Sequence, residues 1–166
     1  PLALADRHYN RQKPGTPQFV PPGRCVVLLA GEPATALWVS SWPFAEYTHH
    51  QWAGAWMCTC FRNEGPLLSS LLIREAVAAT RMAWGEPPPF GMVTFVDASK
   101  TRHKRDPGRC YRKAGFHVVG KTKTNELVAL QLLPDEMPMP EAPLHWQQGF
   151  DFGLPATRPE GEGTTR

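Results

Sequence analysis

The sequence predicts one domain of mixed α+β or α/β class, in which helices flank a mostly antiparallel sheet. The first half of the chain carries three short apolar runs separated by turn residues, the pattern of antiparallel strands. The second half alternates segments of helical period with apolar strands. The composition, 42% hydrophobic and 20% charged over 166 residues, is that of a globular chain long enough for one sizeable core.

Three strands in the first half are each bounded by turn or breaker residues. The expected elements are a short helix over residues 2–8 and strands over residues 26–30, 36–42 and 55–62. The first strand ends at Gly31, and the second ends at Pro43, which cannot donate to a ladder. Because short connections join consecutive strands, they predict an antiparallel meander.

The second half begins with a longer helix. Its apolar positions at helical spacing are Leu71, Leu72, Ala76, Ala79 and Met82. Ser69 or Ser70 is expected to cap the start of this helix, and Gly85 to end it. The remaining expected elements are a strand over residues 91–97, a short helix between Pro107 and Gly115, and a hairpin of residues 116–121 and 126–133.

Residues 134–166 differ in composition from the preceding chain. Six of the 18 prolines lie in this segment, and no clear strand pattern is visible there. We therefore assign residues 1–133 to the folded domain and residues 134–166 to a Pro-rich extension. Trp146, Phe150 and Phe152 are candidate anchors for the extension, and disorder is expected from Gly153 onward.

Composition excludes several classes of protein. No apolar run approaches the ~20 residues that span a bilayer, so no membrane partner is expected. The first residues lack a basic region followed by a long apolar stretch, so no secretory signal peptide is expected. The four cysteines are Cys25, Cys58, Cys60 and Cys110. They lack C-x-x-C spacing, which favours reduced thiols in the cytoplasm over a zinc site.

Basic residues are concentrated in residues 98–125. This segment holds nine of the 18 basic residues and a single acid, Asp106, for a local net charge of +8, whereas the rest of the chain carries −5. The nine are Lys100, Arg102, Lys104, Arg105, Arg109, Arg112, Lys113, Lys121 and Lys123. A charge distribution this polarised favours a polyanionic partner. A solvated basic surface is the simpler alternative.

The segment from Tyr111 to Phe116 carries a recognisable signature. Its Y-x-K-x-G-F pattern resembles the end of the last helix in GNAT-superfamily acyltransferases, and the predicted element order matches their fold from about residue 24 to residue 133. The resemblance implies a GNAT-like fold and an acyl-CoA or related donor. It also implies that Tyr111 protonates a departing thiolate. The alternative for Tyr111 is an aromatic ring packed against the sheet.

Further blocks of sequence resemble the Mom family of phage DNA-modification proteins. They are residues 8–11, 15–19, 22–23, 61–64, 73–76, 94–97 and 107–115. Mom proteins place a carbamoylmethyl group on N6 of adenine in phage DNA, which blocks host restriction enzymes. The resemblance implies double-stranded DNA as the partner, the cytoplasm of the host as the location, and a bound iron.

The loop before the longer helix departs from the GNAT pattern. GNAT enzymes carry a Q/R-x-x-G-x-G/A loop whose amides hold the cofactor pyrophosphate, whereas residues 62–69 retain one glycine and add Glu64. This disfavours conventional acetyl-CoA binding, although free amides near Ser69 and Ser70 are suited to an anion. The expected donor-binding residues are Arg62, Ser69, Ser70 and Tyr111. For Arg62, an ion pair with Glu64 or Glu75 is the alternative.

Asp97 is a candidate for proton transfer. It follows a buried strand, at the carboxyl edge where α/β architectures bind ligands. Because a desolvated carboxylate binds protons more tightly, Asp97 is expected to act as a base or orienting group for an exocyclic amine. An Asx turn that ends the strand is the alternative.

His8, Tyr9 and Arg11 lie in an N-terminal segment that is too polar for a core. Arg11 is suited to bind a phosphate through two nitrogens. His8 and Tyr9 are candidate catalytic residues, and an imidazole beside a phenolate is also a partial iron site. Plain packing of the N-terminus is the alternative for all three.

Other basic and aromatic residues complete the expectations. The expected DNA contacts are Arg11, Lys100, Arg102, Lys104, Arg105, Arg109, Arg112 and Lys113. His49 and His50 are expected to form a surface pair rather than a metal site. The tryptophans of the meander are Trp38, Trp42, Trp52 and Trp56. Most of them are expected in the core, with one able to stack on an extruded base.

Three functions follow from these observations. The favoured one is a Mom-like enzyme that transfers a carbamoylmethyl or acyl-type group to adenine N6 in DNA. The second is a GNAT N-acetyltransferase that uses acetyl-CoA on a protein or a small amine, and the third is a non-catalytic DNA-binding protein. The basic segment argues against a small-molecule enzyme. The presence of Asp97, Tyr111 and the His8–Tyr9 pair argues against a scaffold without chemistry.

Overall fold

The computed structural model describes residues 2–9, 11, 13–16, 20–48, 50–101 and 106–151. Within them the chain forms three α-helices, two short 3-10 turns and seven strands. The helices are α1 (Leu2–Asp6), α2 (Ser69–Trp84) and α3 (Arg109–Lys113), and the 3-10 turns span Ala45–Tyr47 and Pro134–Glu136. The strands are β1 (Gly23–Ala30), β2 (Ala36–Pro43), β3 (Trp56–Asn63), β4 (Met92–Val96), β5 (His117–Lys121), β6 (Val128–Leu132) and β7 (Gln147–Asp151).

All seven strands belong to one open sheet in the order β5-β6-β4-β3-β2-β1-β7. The predicted meander is confirmed, because β1, β2 and β3 pair in succession and antiparallel. The predicted final hairpin is also confirmed, with β5 antiparallel to β6 and β6 antiparallel to β4. The protein is therefore mixed α+β, with a mostly antiparallel sheet.

The exception to antiparallel pairing lies at the centre of the sheet. β3 and β4 run parallel and are connected through α2, as a parallel pair requires a crossover. Only three residue pairs join them, and the last is Cys58 with Thr94. Both strands continue beyond this pair without pairing to each other, to Asn63 and Val96. We call the opening between these unpaired ends the gap.

A β-bulge in β3 lies at the start of the gap. Val39 pairs with Cys60 and Ser40 with Cys58, so Thr59 is the extra residue. The bulge changes the alternation of the strand: Cys58 belongs to the core beneath the helices, whereas Cys60 packs with the core on the other face. Cys58 and Cys60 are two residues apart and would face the same side in a regular strand. Because of the bulge, they face opposite sides of the sheet.

The sheet has a core on each face. The larger core includes residues of α2, α3 and the sheet, with Trp38 and Trp56 fully buried. The other face is covered by α1, which contributes Leu4 and Ala5 to a smaller core. The expectation that most tryptophans of the meander are core residues is confirmed for Trp38, Trp52 and Trp56.

The buried stripe of α2 differs from the predicted one. The buried residues are Leu72, Ile73, Ala76, Val77, Ala78, Ala79 and Thr80. Leu71 and Met82 were expected in this stripe but are 41% and 61% exposed. The expected serine cap is also wrong, since Leu68 holds the cap position without a side-chain hydrogen bond. Gly85 ends the helix as predicted, with φ +84°.

The extension after residue 133 packs on the same core as the preceding domain. Met137 and Trp146, the latter predicted as an anchor, are buried beside α2, and the Trp146 Nε1 donates a hydrogen bond of 2.9 Å to the Leu72 carbonyl. The His145 Nδ1 lies 2.7 Å from Glu75 Oε1. The extension then adds β7 to the free edge of β1. The anchor Phe152 and the disorder expected from Gly153 fall outside the described residues.

Candidate functional site

Two open cavities meet at the gap. The first has a volume of about 790 Å³ and is lined by residues of β3, α2 and α3. The second has a volume of about 850 Å³ and is lined by β3, the end of β4 and the chain around α1. His8, Tyr9 and Lys100 line both cavities. These three residues therefore lie between the two spaces.

The first cavity brings together the four residues predicted to bind a donor. Arg62 comes from the end of β3, Ser69 and Ser70 from the first turn of α2, and Tyr111 from α3, and all of them line this cavity. The amides of the first turn of α2 have no partners within the helix, so they and the helix dipole favour an anion here.

A carboxylate occupies the mouth of the first cavity. Glu64 pairs with Arg7, whose Nε and Nη2 donate hydrogen bonds of 3.0 and 2.7 Å, and it also pairs with Arg62. These guanidinium groups lower the Glu64 pKa to about 2. Arg62 was expected either to face the donor site or to form an ion pair with Glu64 or Glu75. It lines the first cavity and is also paired with Glu64. Glu64 is one of the residues in which this loop departs from the GNAT pattern.

Tyr111 is buried where the parallel pairing ends. Its Oη lies 3.5 Å from Cys58 Sγ, and its ring packs edge-on against Phe61 and Phe116. Burial raises the Tyr111 pKa well above its ordinary value, and the nearby Cys58 and Cys110 thiols add to this effect. The phenol therefore stays protonated at neutral pH, and it is a weaker acid than an exposed tyrosine. Packing against the sheet and a role at the cavity wall are both compatible with this geometry.

Asp97 lies in the second cavity, but its environment differs from the expected one. Its Oδ1 accepts hydrogen bonds from the Ser99 hydroxyl at 2.6 Å and from the Ser99 and Lys100 backbone amides at 2.9 and 3.2 Å. The Ser99 hydrogen bond is the largest cause of a lowered Asp97 pKa. The expectation of tighter proton binding is therefore wrong, and the Asx-type turn is present. Asp97 offers an ionised acceptor, which suits orienting an amine better than removing its proton.

The N-terminal segment crosses the gap between the two cavities. The rings of His8 and Tyr9 stack with centroids 4.5 Å apart. Lys100 Nζ donates to the Tyr9 carbonyl at 3.5 Å, and Arg62 Nη1 donates to the Arg7 carbonyl. Burial raises the Tyr9 pKa, so this residue is a neutral phenol at neutral pH.

The geometry of His8 and Tyr9 does not fit an iron site. The two rings face each other rather than converging on a common point. Among the described residues, no three His, Cys, Asp or Glu side chains are grouped so that they could hold a metal ion.

Arg11 is engaged within the N-terminal segment. Its Nε donates to Asp6 Oδ1 at 3.0 Å, it also contacts the Thr16 carbonyl, and its side chain is only 8% exposed. The Asp6 pKa is lowered, chiefly by this hydrogen bond. This arrangement corrects the expectation that Arg11 binds a DNA phosphate through two nitrogens, because its Nε and Nη2 already have protein acceptors.

The other residues expected to contact DNA fall into three groups. Lys100, Arg109 and Lys113 line the first cavity. Arg112 pairs with Asp106 and donates to the Pro107 carbonyl, so it stabilises the start of α3. The predicted contacts Arg102, Lys104 and Arg105 lie outside the described residues.

His50 is partly buried and packs against two aromatic rings. Its ring lies 5.2 Å from Phe95 and 6.1 Å from Trp52, and its Nδ1 accepts a hydrogen bond of 3.2 Å from the Trp52 amide. Burial lowers the His50 pKa. His49 lies outside the described residues. None of the meander tryptophans is among the described residues that line the two cavities, so base stacking is left to Tyr9 and Phe95.

Sequence reasoning missed Arg7 and Cys58, and it gave the pair of Arg62 with Glu64 only as an alternative. The Arg62-x-Glu64 spacing in a strand end gave a usable signal for that pair. The sequence gives no signal for the contact of Arg7 with Glu64, which are 57 residues apart. The sequence around Cys58 does not indicate its contact with Tyr111, which is 53 residues away in the chain.

Comparisons of the chain with known protein families, curated proteins and solved structures gave no match. In the described part of the chain, every helix is too short or too polar to cross a bilayer.

Proposed function

We propose that this protein is a DNA-modifying transferase with a GNAT-like fold, similar to the Mom family, that transfers a carbamoylmethyl or acyl-type group to adenine N6. The observation that carries the proposal is the gap between the parallel ends of β3 and β4, where two cavities of different character meet. A transferase needs two adjoining sites so that donor and acceptor approach each other from opposite sides.

The first cavity is the proposed donor site. It combines the amides of the first turn of α2 with Tyr111, and Arg62 lines it while bound to Glu64 and the Arg7 carbonyl. Arg109 and Lys113 at its border are suited to DNA phosphates. The amides suit a donor with an anionic part, such as an acyl-CoA or a related thioester. Tyr111 is the proposed proton donor for the leaving group, since its phenol is protonated and lies close to the end of the parallel pairing.

The second cavity is the proposed site of the adenine. Tyr9, Met57 and Phe95 provide apolar and aromatic surface for a base, and Asp97 and Asn125 provide polar groups. Because N6 is paired in duplex DNA, the base must leave the stack to reach this cavity. Lys13 also lines it, and its ammonium is suited to a flanking phosphate.

The proposed reaction joins N6 to the electrophilic carbon of the donor. The N6–carbon bond forms while the bond between that carbon and the leaving group breaks. The Tyr111 hydroxyl gives its proton to the leaving group, and the amine proton passes to solvent through the open second cavity. The Asp97 carboxylate accepts a hydrogen bond from N6 and orients its lone pair toward the gap. Solvent then restores the Tyr111 proton.

A second function is favoured by the α2 amides alone. An N-acetyltransferase acting on a protein or a small amine needs the same anion-binding turn and the same proton donor. It does not need the basic residues that border both cavities, which is why we place it second.

Mass spectrometry of nucleosides tests the proposal. Plasmid DNA isolated from cells that express the protein is expected to contain adenine with an added mass, and DNA from cells expressing Tyr111→Phe is expected to contain about 10²-fold less. Tyr111→Phe is a matched control because only the hydroxyl is removed from a buried ring. Unmodified DNA from the wild type, together with acetylation of an amine substrate by the purified protein, would establish the second function instead.

A further inference from the structure

Two cations from opposite sides of the gap hold the N-terminal segment in place. We propose that Lys100 and Arg62 are positioning residues, which fix His8 and Tyr9 between the two cavities by binding backbone carbonyls on either side of them. The inference rests on the proposed function, because it assigns what holds Tyr9, a residue of the proposed adenine site, in place. It gives Lys100 a different role from the phosphate contact that its sequence context predicts.

Lys100 approaches from the β4 side. Its ammonium lies 3.5 Å from the Tyr9 carbonyl and 3.9 Å from Asp97 Oδ2. Its backbone amide at the same time donates to Asp97 Oδ1, so the turn after β4 fixes where its side chain begins. Lys100 also lines both cavities, as His8 and Tyr9 do. The ammonium thus has two oxygen neighbours within the protein at the junction of the two spaces.

Arg62 approaches from the β3 side. One nitrogen donates to the Arg7 carbonyl and another to Glu64, which in turn accepts two hydrogen bonds from the Arg7 side chain. Residue 7 is therefore held through both its backbone and its side chain. The amide of His8 completes the arrangement by donating to the Ala5 carbonyl at 2.9 Å, which joins the segment to α1.

Both contacts are made to backbone carbonyl groups, those of Arg7 and Tyr9. Lys100 and Arg62 bind carbonyl groups, so they fix the position of the segment through its main chain. The rings of His8 and Tyr9 stack on each other, and both residues line both cavities. Two backbone contacts on either side of a two-residue span restrict its motion, as preorganisation of a site requires.

Lys100→Met tests the proposal, with Lys113→Met as the matched control on the rim of the first cavity. In Lys100→Met we expect amide hydrogen exchange in residues 2–9 to accelerate about 10-fold, since a hydrogen bond to a charged donor is lost. The turnover number for DNA modification falls while the apparent KM for DNA stays within about 2-fold. Lys100→Arg restores exchange and turnover, because a guanidinium also reaches the carbonyl.

The control is expected to behave in the opposite way. Lys113→Met leaves exchange in residues 2–9 unchanged but makes the salt dependence of DNA binding shallower by about 0.9 in log–log slope, the effect of one lost phosphate contact. If Lys100→Met changes the slope by that amount and leaves exchange unchanged, Lys100 is a phosphate contact and the proposal is overturned. The exchange measurement needs no DNA, so it decides the positioning role even if the proposed function fails.

Discussion

Asp97 illustrates how the residues that follow a side chain can reverse its expected chemistry. Position at the end of a buried strand predicted a desolvated carboxylate, yet the Ser99 hydroxyl and two backbone amides bind its Oδ1. Hydrogen bonds to the charged form lower a pKa, whereas burial raises it, and here the hydrogen bonds dominate. The Ser at position 99 is the sequence signal for this turn.

Substitutions at Asp97 separate its role in the turn from its role in the reaction. Asp97→Asn keeps an oxygen that accepts the same three hydrogen bonds, so we expect an unchanged melting temperature, retained DNA binding and modification reduced by ~10²-fold. Asp97→Ala removes the turn bonds as well and is expected to lower the melting temperature. Thermal unfolding and nucleoside analysis of both variants provide the check. Modification close to the wild-type level in Asp97→Asn would show that the carboxylate is structural only.

The carboxylate of Glu64 predicts an acid-sensitive contact. Its pKa is lowered to about 2 by Arg7 and Arg62. A lowered pKa in the folded state gives stability that is present above the unfolded value and lost as pH falls through the folded value. We therefore expect the difference in melting temperature between the wild type and Glu64→Gln to be constant above about pH 5. It shrinks as the pH falls toward 2. A difference that persists at pH 2 would mean that shape, not charge, holds the N-terminal segment.

The candidate site could be predicted residue by residue only in part. Arg62, Ser69, Ser70 and Tyr111 were predicted as one group, and they line one cavity. Their spacing follows from strand, turn and helix patterns that are local in sequence. The role of Arg7 could not be predicted, because it depends on a contact across 57 residues. Arg11 was misassigned because its partners, Asp6 and the Thr16 carbonyl, are brought to it by a turn that its own sequence pattern does not specify.

At the scale of secondary structure, local patterns were sufficient for most elements. The predicted strands agree with β1 to β6 to within about three residues at either end, since each is bounded by Gly, Pro or polar turn residues. β7 was missed because its residues have no apolar alternation, and it exists through pairing with β1. The exposed Leu71 and Met82 were misassigned because helical spacing alone does not say which of two apolar faces meets the sheet.

Trp146 is expected to contribute to the stability of the folded protein, whereas the residues after Gly153 are not. Trp146→Ala is expected to cost about 3–5 kcal/mol, since a buried indole is lost, and Trp146→Phe to cost less, about 1–2 kcal/mol, since chiefly the hydrogen bond to Leu72 is lost. Truncation after Gly153 is expected to leave the melting temperature almost unchanged. Urea unfolding of the three variants measures these differences. A Trp146→Ala protein as stable as the wild type would show that the extension is not part of the core.

At the scale of the whole molecule, the gap and a group of basic residues lie at the same end of the sheet. The carboxyl ends of β3 and β4 open the gap, and Lys100, Arg109 and Lys113 border it. Net charge and its placement could be read from the sequence, but the gap could not, because it depends on where a parallel pairing stops. Three paired positions are enough to join the two halves of the sheet and leave the rest of both strands open.

The pairing of β1 with β7 has a consequence for how the chain folds during synthesis. β1 begins at residue 23, but the strand that covers its outer edge ends at residue 151. On the ribosome, the meander is complete long before β7 emerges, so β1 waits with its edge hydrogen-bonding groups unpaired for several seconds at ordinary elongation rates of roughly 5–20 residues per second. An open strand edge is a template for pairing with other chains. The last segment of the described chain to be made is therefore the one that closes this edge, and a nascent chain stalled before β7 is the form most exposed to aggregation.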